Sequence, residues 1–399
     1  MTVINRIKVA ILIASLLLFI SGQLTMEILA FSMGHKGTSF HADQTELVWT
    51  VVNDDFVSAN VAPDDIVFVN VTHGWVLSKT EESLFNGIIL HTRDGGDTWS
   101  SSLQNTSDRY RKIAVIDTDT IWVTCRTGLY YTNNSGNTWH QIIVGTDNED
   151  FSFYGVYFFN RTHGWTSSDT HMYKTVDSGK TWQMLNSVAA DDRARMIRFL
   201  SPQEGWVIGS FGIYHTTDGG ETWTKSYNKG GWTISVISAT EAWAVGDEWI
   251  AKMSDGKTWV TQPSPRDSPF PPPIAPYYSD IFFLDSMHGW LAGLETEIAY
   301  TPNGGRDWYS QSFYGDTRVK SIYFINMTHG WAVGTGGYIY RTTRGDSLGA
   351  RLWMGLSDPI IIGAISVPVV LIVSIIGLLR VRKKQHVHQK STDGTIDII

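Results

Sequence analysis

The sequence predicts an all-β fold, a seven-bladed β-propeller, and three observations carry that prediction. A first tryptophan recurs at Trp75, Trp122, Trp165, Trp206, Trp243, Trp290 and Trp331, at spacings of 47, 43, 41, 37, 47 and 41 residues. A period of ~40–50 residues with four short strands per unit is that of a propeller blade. A second tryptophan follows in six units, at Trp99, Trp139, Trp182, Trp223, Trp259 and Trp308. Finally, 17 Trp, 16 Tyr, 17 Phe and 37 Gly in 399 residues suit many short aromatic strands joined by glycine turns.

Taken in order, residues 1–34 read as a signal peptide or an uncleaved signal anchor. Arg6 and Lys8 precede the apolar run Val9–Ile20, and apolar character continues to Phe31, broken by Gln23 and Glu27. Residues 46–346 are the propeller. Each unit begins with an alternating strand A, such as Ser321-Ile322-Tyr323-Phe324-Ile325. Strand B opens at the first tryptophan, usually after Gly. Strand C ends in Thr, as in Met172-Tyr173-Lys174-Thr175, and strand D starts at the second tryptophan.

The seventh unit supplies strands A to C and degenerates at Arg344-Gly345-Asp346 with no second tryptophan. Glu46 to Val52 looks like an orphan strand D with Trp49 in the vacant slot. We therefore expect it to complete blade seven, which removes open sheet edges. Two insertions interrupt the period. Ser78–Gly87 lengthens the B–C loop of blade one, and the proline-rich Gln262–Pro276 links blades five and six as an extended spacer. Residues 359–379 contain no charge and are long enough to span a bilayer. Arg380, Arg382, Lys383 and Lys384 follow, so 380–399 is expected in the cytoplasm and the propeller outside it. The sequons at Asn70, Asn105, Asn133, Asn160 and Asn326 agree with that side as glycosylation candidates.

Between strands C and D runs Asp218-Gly219-Gly220-Glu221-Thr222-Trp223, with counterparts beginning at Asp94, Asn134, Asp177, Asp255 and Asn303. Asp or Asn caps its own backbone there, Gly supplies positive φ, and the tryptophan is expected to pin the hairpin to the neighbouring blade. One carboxylate per loop, often replaced by Asn, is too few oxygens for a calcium cage. No metal, cofactor or catalytic residue is assigned.

These motifs, with His329-Gly330-Trp331-Ala332-Val333-Gly334, resemble the Asp-boxes of the BNR-repeat superfamily and, within it, the photosystem II stability/assembly factor family of seven-bladed propellers. The resemblance covers residues ~46–346. It implies a non-enzymatic, extracytoplasmic factor that binds partner proteins, partly through an arginine-rich patch on one face. The membrane span departs from the typical member, so no photosynthetic role is carried over.

Residues in the loops entering strand A match such a patch: Arg109, Arg111 and Lys112, then Arg193 and Arg195, then Arg318 and Lys320. Arg126, in a B–C loop on the same face, is expected to join them. A protein or glycan ligand is the expected partner. Nucleic acid is not, because the formal net charge is −8. The single cysteine, Cys125, lies in a strand pattern and excludes a disulfide framework. The runner-up reading is a glycoside hydrolase or carbohydrate-binding ectodomain. Asp247, Glu248, Glu295 and Glu297 fall in B–C loops of adjacent units, as a carboxylate pair across a groove requires.

Overall fold

The structure, a computed structural model, describes residues 48–347 apart from 54–60, 81–85, 106–107, 146–151, 187, 189–191, 263–276, 294–297 and 312–317. These residues form seven four-stranded antiparallel sheets. Strand β1 (Thr50–Asn53) comes first in the chain and last in the ring. Blade one is β2–β5 (Val61–Phe68, Gly74–Thr80, Gly87–Thr92, Ser100–Asn105) and blade two β6–β9 (Ile113–Val115, Ile121–Thr124, Leu129–Thr132, His140–Ile142). Blade three is β10–β13 (Val156–Phe158, Gly164–Ser167, Met172–Thr175, Gln183–Leu185) and blade four β14–β17 (Met196–Phe199, Gly205–Ile208, Ile213–Thr216, Thr224–Tyr227). Blade five is β18–β21 (Thr233–Ser238, Glu241–Val245, Ile250–Met253, Trp259–Gln262) and blade six β22–β25 (Asp280–Phe283, Gly289–Ala292, Ile298–Thr301, Tyr309–Gln311). Blade seven is β26–β28 (Val319–Phe324, Gly330–Gly334, Ile339–Thr342) completed by β1.

The A strands touch in a closed circle, β2 to β6, β10, β14, β18, β22, β26 and back to β2. The expected closure is present: β1 pairs with β28 through Thr50↔Arg341 and Val51↔Tyr340. Trp49 lies in one core cluster with Tyr340, and its ring meets Phe324 edge-on at 5.6 Å and 85°. The second tryptophans of other blades meet their own strand-A phenylalanine in the same way: Trp99 on Phe68 at 6.1 Å, Trp182 on Phe158 at 6.0 Å, Trp223 on Phe199 at 6.1 Å.

The expected joint of the second tryptophan to the neighbouring blade is present, with Trp139 Nε1 donating to Ser102 Oγ at 3.0 Å and Trp182 meeting Trp122 edge-on at 5.9 Å, but the first tryptophan makes the tighter one. The seven first tryptophans are all fully buried, whereas Trp99, Trp139, Trp182 and Trp223 are half-buried. Five of these indoles stack on the strand-A phenylalanine of the next blade. Trp165 stacks on Phe199 at 3.6 Å, Trp243 on Phe283 at 3.8 Å, Trp290 on Phe324 at 3.7 Å, and Trp331 closes the ring on Phe68 at 3.6 Å. The same indoles donate Nε1–H to a carbonyl of the neighbouring turn, at Gly219, Gly304, Gly345 and Gly95 respectively.

Those phenylalanines also explain the glycine before the tryptophan. Phe68, Phe158, Phe199, Phe283 and Phe324 lie directly across from Gly74, Gly164, Gly205, Gly289 and Gly330. Each ring covers its glycine so closely that a Cβ does not fit. Blades two and five, which have Ile121 and Ala242 at the glycine position, have no phenylalanine there. The preceding tryptophans, Trp75 and Trp206, stack instead on strand-C histidines, His91 at 4.5 Å and His215 at 4.4 Å, and their Nε1 atoms find no partner among the described residues.

The Asp-boxes are hairpin caps. Asp218 Oδ1 accepts from Thr222 N at 3.0 Å and Oδ2 from Thr222 Oγ1 at 2.6 Å, while Gly219 and Gly220 take φ of 78° and 94°. Asp94 and Asp177 are bonded the same way, and Asn134 and Asn303 keep the backbone cap. The shorter box at Asp255 caps Lys257 and Thr258 ahead of Trp259. The box of blade six ends on buried Trp308. Part of the Ser78–Gly87 insertion is strand and not loop, since Ser78 pairs with Ile88 and Lys79 with Gly87. The segments expected as signal (1–34), membrane span (359–379) and tail (380–399), and the spacer 263–276, lie outside the described residues. Among the described residues no helix is long and apolar enough to cross a membrane.

Two outcomes test this packing. A Cβ at position 205 comes 2.5 Å from the Phe199 ring, so Gly205→Ala is expected to destabilise by ~1–3 kcal/mol in denaturant titration. Phe199→Val in that background should recover part of the loss, because blade two lives with Val115 opposite Ile121. The second concerns His91, whose pKa is lowered to about 4, by burial first and then by Arg93 and His73. The folded value lies below the unfolded value of 6.5, so its contribution is complete above pH 6.5 and is lost as pH falls toward 4. The stability of the wild type relative to His91→Tyr should therefore fall across that window. A pH-independent difference would refute it.

Candidate functional site

Antiparallel order puts the start of strand A, the end of B, the start of C and the end of D at one end of every blade. The D–A links and B–C turns therefore converge on one face, and the predicted arginines converge with them. A cavity of about 610 Å³ opens there, lined by Arg109, Arg111, Lys112, Arg193, Arg195, Arg318 and Lys320. Asp64 and Asp280 are its carboxylates, and Tyr110, Tyr154, Trp232 and Tyr277 its aromatics. Arg126 does not join them. Its backbone N–H is held at 2.9 Å by Asp108, and it is absent from the lining.

The cations fall into two groups. Asp64 gathers Lys320 at 2.6 Å, Lys79 at 3.2 Å and Arg109 at 3.5 Å. Burial works against its ionisation, but these cations, Lys320 foremost, hold the carboxyl below the usual range. Lys112 pairs with Asp65 at 3.2 Å, and Arg193 with Asp169 at 2.8 Å. The second group has no carboxylate within ion-pair distance among the described residues. Arg111 lies 4.5 Å over Tyr154, Arg195 4.2 Å over Trp232, and Arg318 4.8 Å over Tyr277. Burial lowers the pKa of Arg111 and Arg195 from the ordinary guanidinium value, and Arg111 Nε has no hydrogen-bond partner among the described residues. Guanidiniums stay charged. A charge that has lost water without gaining an anion favours one.

Four aspartates shape the loops. Asp-Arg-x-Arg occurs twice, at Asp108-Arg109-Tyr110-Arg111 and Asp192-Arg193-Ala194-Arg195. In each copy the aspartate grips the B–C turn of its own blade. Asp108 accepts from Arg126 N and Thr127 Oγ1, and Asp192 from Ser210 N and Phe211 N. The first arginine is ion-paired and the second lies on an aromatic ring. In blades three and five the aspartate is in the B–C turn and holds the aromatic: Asp169 accepts from Tyr154 OH at 2.9 Å, Asp247 from Trp232 Nε1 at 2.6 Å. The arginines were predicted from the sequence; the aromatics and Asp108, Asp169 and Asp192 were not, and Asp247 was named only as one of a carboxylate set. The doubled Asp-Arg-x-Arg was the available signal.

A deeper chamber of about 230 Å³ shares Lys112, Thr233 and Asp280 with this cavity. In it, Ser321 Oγ lies 3.1 Å from both Asp65 and Asp280. Burial raises the Asp280 pKa against the pull of Lys112. Asp247, a candidate for a carboxylate pair, is committed to Trp232, and Glu295 and Glu297 lie outside the described residues. Burial pushes the Cys125 thiol up to about 12. No group of three or more His, Cys, Asp or Glu among the described residues is placed to hold a metal ion. The sequon residues Asn70, Asn160 and Asn326 cap turns, Asn70 Oδ1 accepting from Thr72 N and His73 N. Asn133 is exposed beside its Asp-box, and Asn105 ends β5.

Fold, staples and cavity define a seven-bladed Asp-box propeller with a basic, aromatic mouth. The family model for photosynthesis system II assembly factor YCF48 matches residues 42–148 and 144–229, and over that stretch the chain resembles this family. No curated protein matches the sequence. Among solved structures, YCF48 bound to a D1 peptide is 19% identical with a TM-score of 0.57, covering 71% of this chain and 94% of its own. YCF48 from Cyanidioschyzon merolae is 16% identical with a TM-score of 0.58, covering 75% and 100%. A catalytically inactive virginiamycin B lyase from Staphylococcus aureus, 13% identical with a TM-score of 0.59, covers 71% and 95%. At such identities the likeness is one of fold.

Proposed function

We propose that this chain is a non-catalytic binding module that captures an acidic polypeptide segment in the basic cavity, on the extracytoplasmic side of a membrane that holds it through residues 359–379. One observation carries the reading: Arg111, Arg195 and Arg318 are backed by aromatic rings, Arg111 and Arg195 are half-buried, and none of the three has a carboxylate within ion-pair distance among the described residues. Seven cations against two carboxylates line the cavity, so its local potential favours an anion. YCF48, which this chain resembles, has been solved with a peptide of D1, which supports a protein partner here as well. A carbohydrate ligand fits less well. It would need bare aromatic platforms, and each of Tyr154, Trp232 and Tyr277 is covered by a guanidinium.

The probe is a fluorescein-labelled twelve-residue peptide rich in Glu and Asp, set against a Lys-rich counterpart. The acidic peptide should bind, and added salt should weaken it. Replacing Arg111, Arg195 and Arg318 together with Glu is expected to raise Kd by about 100-fold or more. Equal affinity for the triple variant would end the reading. The membrane part is tested separately: the full chain should resist alkaline extraction from membranes, and deletion of 359–379 should release it.

A further inference from the structure

We propose that Asp247 is a positioning residue of the cavity. It sets Arg195 and Arg318 through Trp232 and Tyr277 without meeting the ligand itself. The proposal rests on the reading of the cavity as a site for an acidic segment.

Asp247 lies outside the cavity lining. Its Oδ1 accepts from Trp232 Nε1 at 2.6 Å, a short charge-assisted bond that fixes the rotation of the indole. The guanidinium of Arg195 rests 4.2 Å over that indole, and Arg195 Nη1 donates to the Gly231 carbonyl at 3.2 Å. Trp232 in turn packs against Tyr277, ring centroids 6.3 Å apart, and Arg318 lies over Tyr277 at 4.8 Å. The Asp247 carbonyl also accepts from Tyr278 N at 3.2 Å, which ties down the segment carrying Tyr277. One residue thus restrains the platforms of two of the three arginines that have no carboxylate within ion-pair distance among the described residues.

The same device occurs in blade three. Asp169 holds Tyr154 OH at 2.9 Å, and Arg111 of the preceding blade lies over that ring. Asp169 and Asp247 occupy the same position, two residues beyond the end of strand B (Gly164–Ser167 and Glu241–Val245). An arginine of one blade rests on an aromatic of the next, which an aspartate of that next blade orients.

Electrostatics alone and positioning predict opposite signs. Asp247 is a negative charge beside a cationic cavity, so by charge alone its loss should strengthen capture of an acidic peptide. If Asp247 acts by orientation, its loss frees Trp232 and Arg195, and their ordering must then be supplied on binding. The test uses the full-length chain labelled with 15N-tryptophan and the acidic peptide above. Asp247→Ala is expected to bind about fivefold more weakly. Asp247→Asn, which keeps an acceptor for the indole and removes the charge, should bind at least as tightly as wild type. In a Trp232→Phe background, which has no N–H to hold, Asp247→Ala should add nothing. The Trp232 indole resonance, assigned by its loss in Trp232→Phe, should move in Asp247→Ala and stay in Asp247→Asn. Unchanged or tighter binding by Asp247→Ala, or equal weakening by Ala and Asn, overturns the proposal. If the wild type binds neither peptide, the functional reading fails, and positioning is judged on the indole: a resonance unmoved by Asp247→Ala overturns it.

Discussion

The sandwich of a strand-B indole against the phenylalanine of the next blade is what the ring depends on. A blade by itself is a narrow four-stranded sheet with two faces to cover. The indole covers both demands. It pairs across its own sheet with a large strand-C side chain, such as Tyr131, Lys252 or Arg341, and stacks on the neighbouring sheet with its N–H satisfied by a turn carbonyl. Truncating a buried tryptophan typically costs ~3–5 kcal/mol. The joint from Trp331 to Phe68 links the last sheet to the first, and β1 supplies the missing edge, so closure uses the same chemistry as the internal joints that carry a phenylalanine.

Because the joints are stiff, the loops at the strand-A end meet with little freedom. Six D–A links each deliver a side chain to the cavity, Arg111 into blade two, Tyr154 into three, Arg195 into four, Trp232 into five, Tyr277 into six and Arg318 into seven, and blade one contributes Asp64 from strand A itself. Neighbouring links then pair cation with ring. Were the arginines paired with acids throughout, the cavity would be saturated. Backing them with aromatic faces orders the guanidiniums and leaves their donor edges without an internal anion. Such desolvation is unfavourable for folding, and it is tolerated where the rest of the ring is over-determined.

The repeat, the closing strand and the hairpin caps were legible in the sequence because they are local: tryptophan spacing, an orphan strand with Trp49, and Asp or Asn four residues ahead of a capped N–H. The arginines were legible as residue types in a recurrent slot. What was not legible lies between blades. That Trp165 reaches Phe199, or that Arg195 meets Trp232, involves residues 30 to 40 positions apart in different repeats, whose contact follows only from the way consecutive sheets face each other. Arg126 shows the limit of slot reasoning. It occupies the right turn, but Asp108 captures the backbone of that turn, and the side chain does not reach the lining. The coupling of Phe with Gly in five blades, and its joint absence in two, was present in the sequence. It acquires meaning only when strands A and B are placed in register.

Bulk charge was the least informative number. A formal charge of −8 describes 399 residues, while a ligand at the cavity mouth interacts with groups within about a Debye length, ~8 Å at physiological ionic strength. Inside that radius the cations prevail, and partial burial weakens the screening between them and a bound anion. An acidic chain carrying a recessed basic cavity also discriminates. A group that enters the cavity meets the arginines at close range, whereas one held outside it does not. The negative total charge thus coexists with a cavity whose lining carries seven cations and two carboxylates.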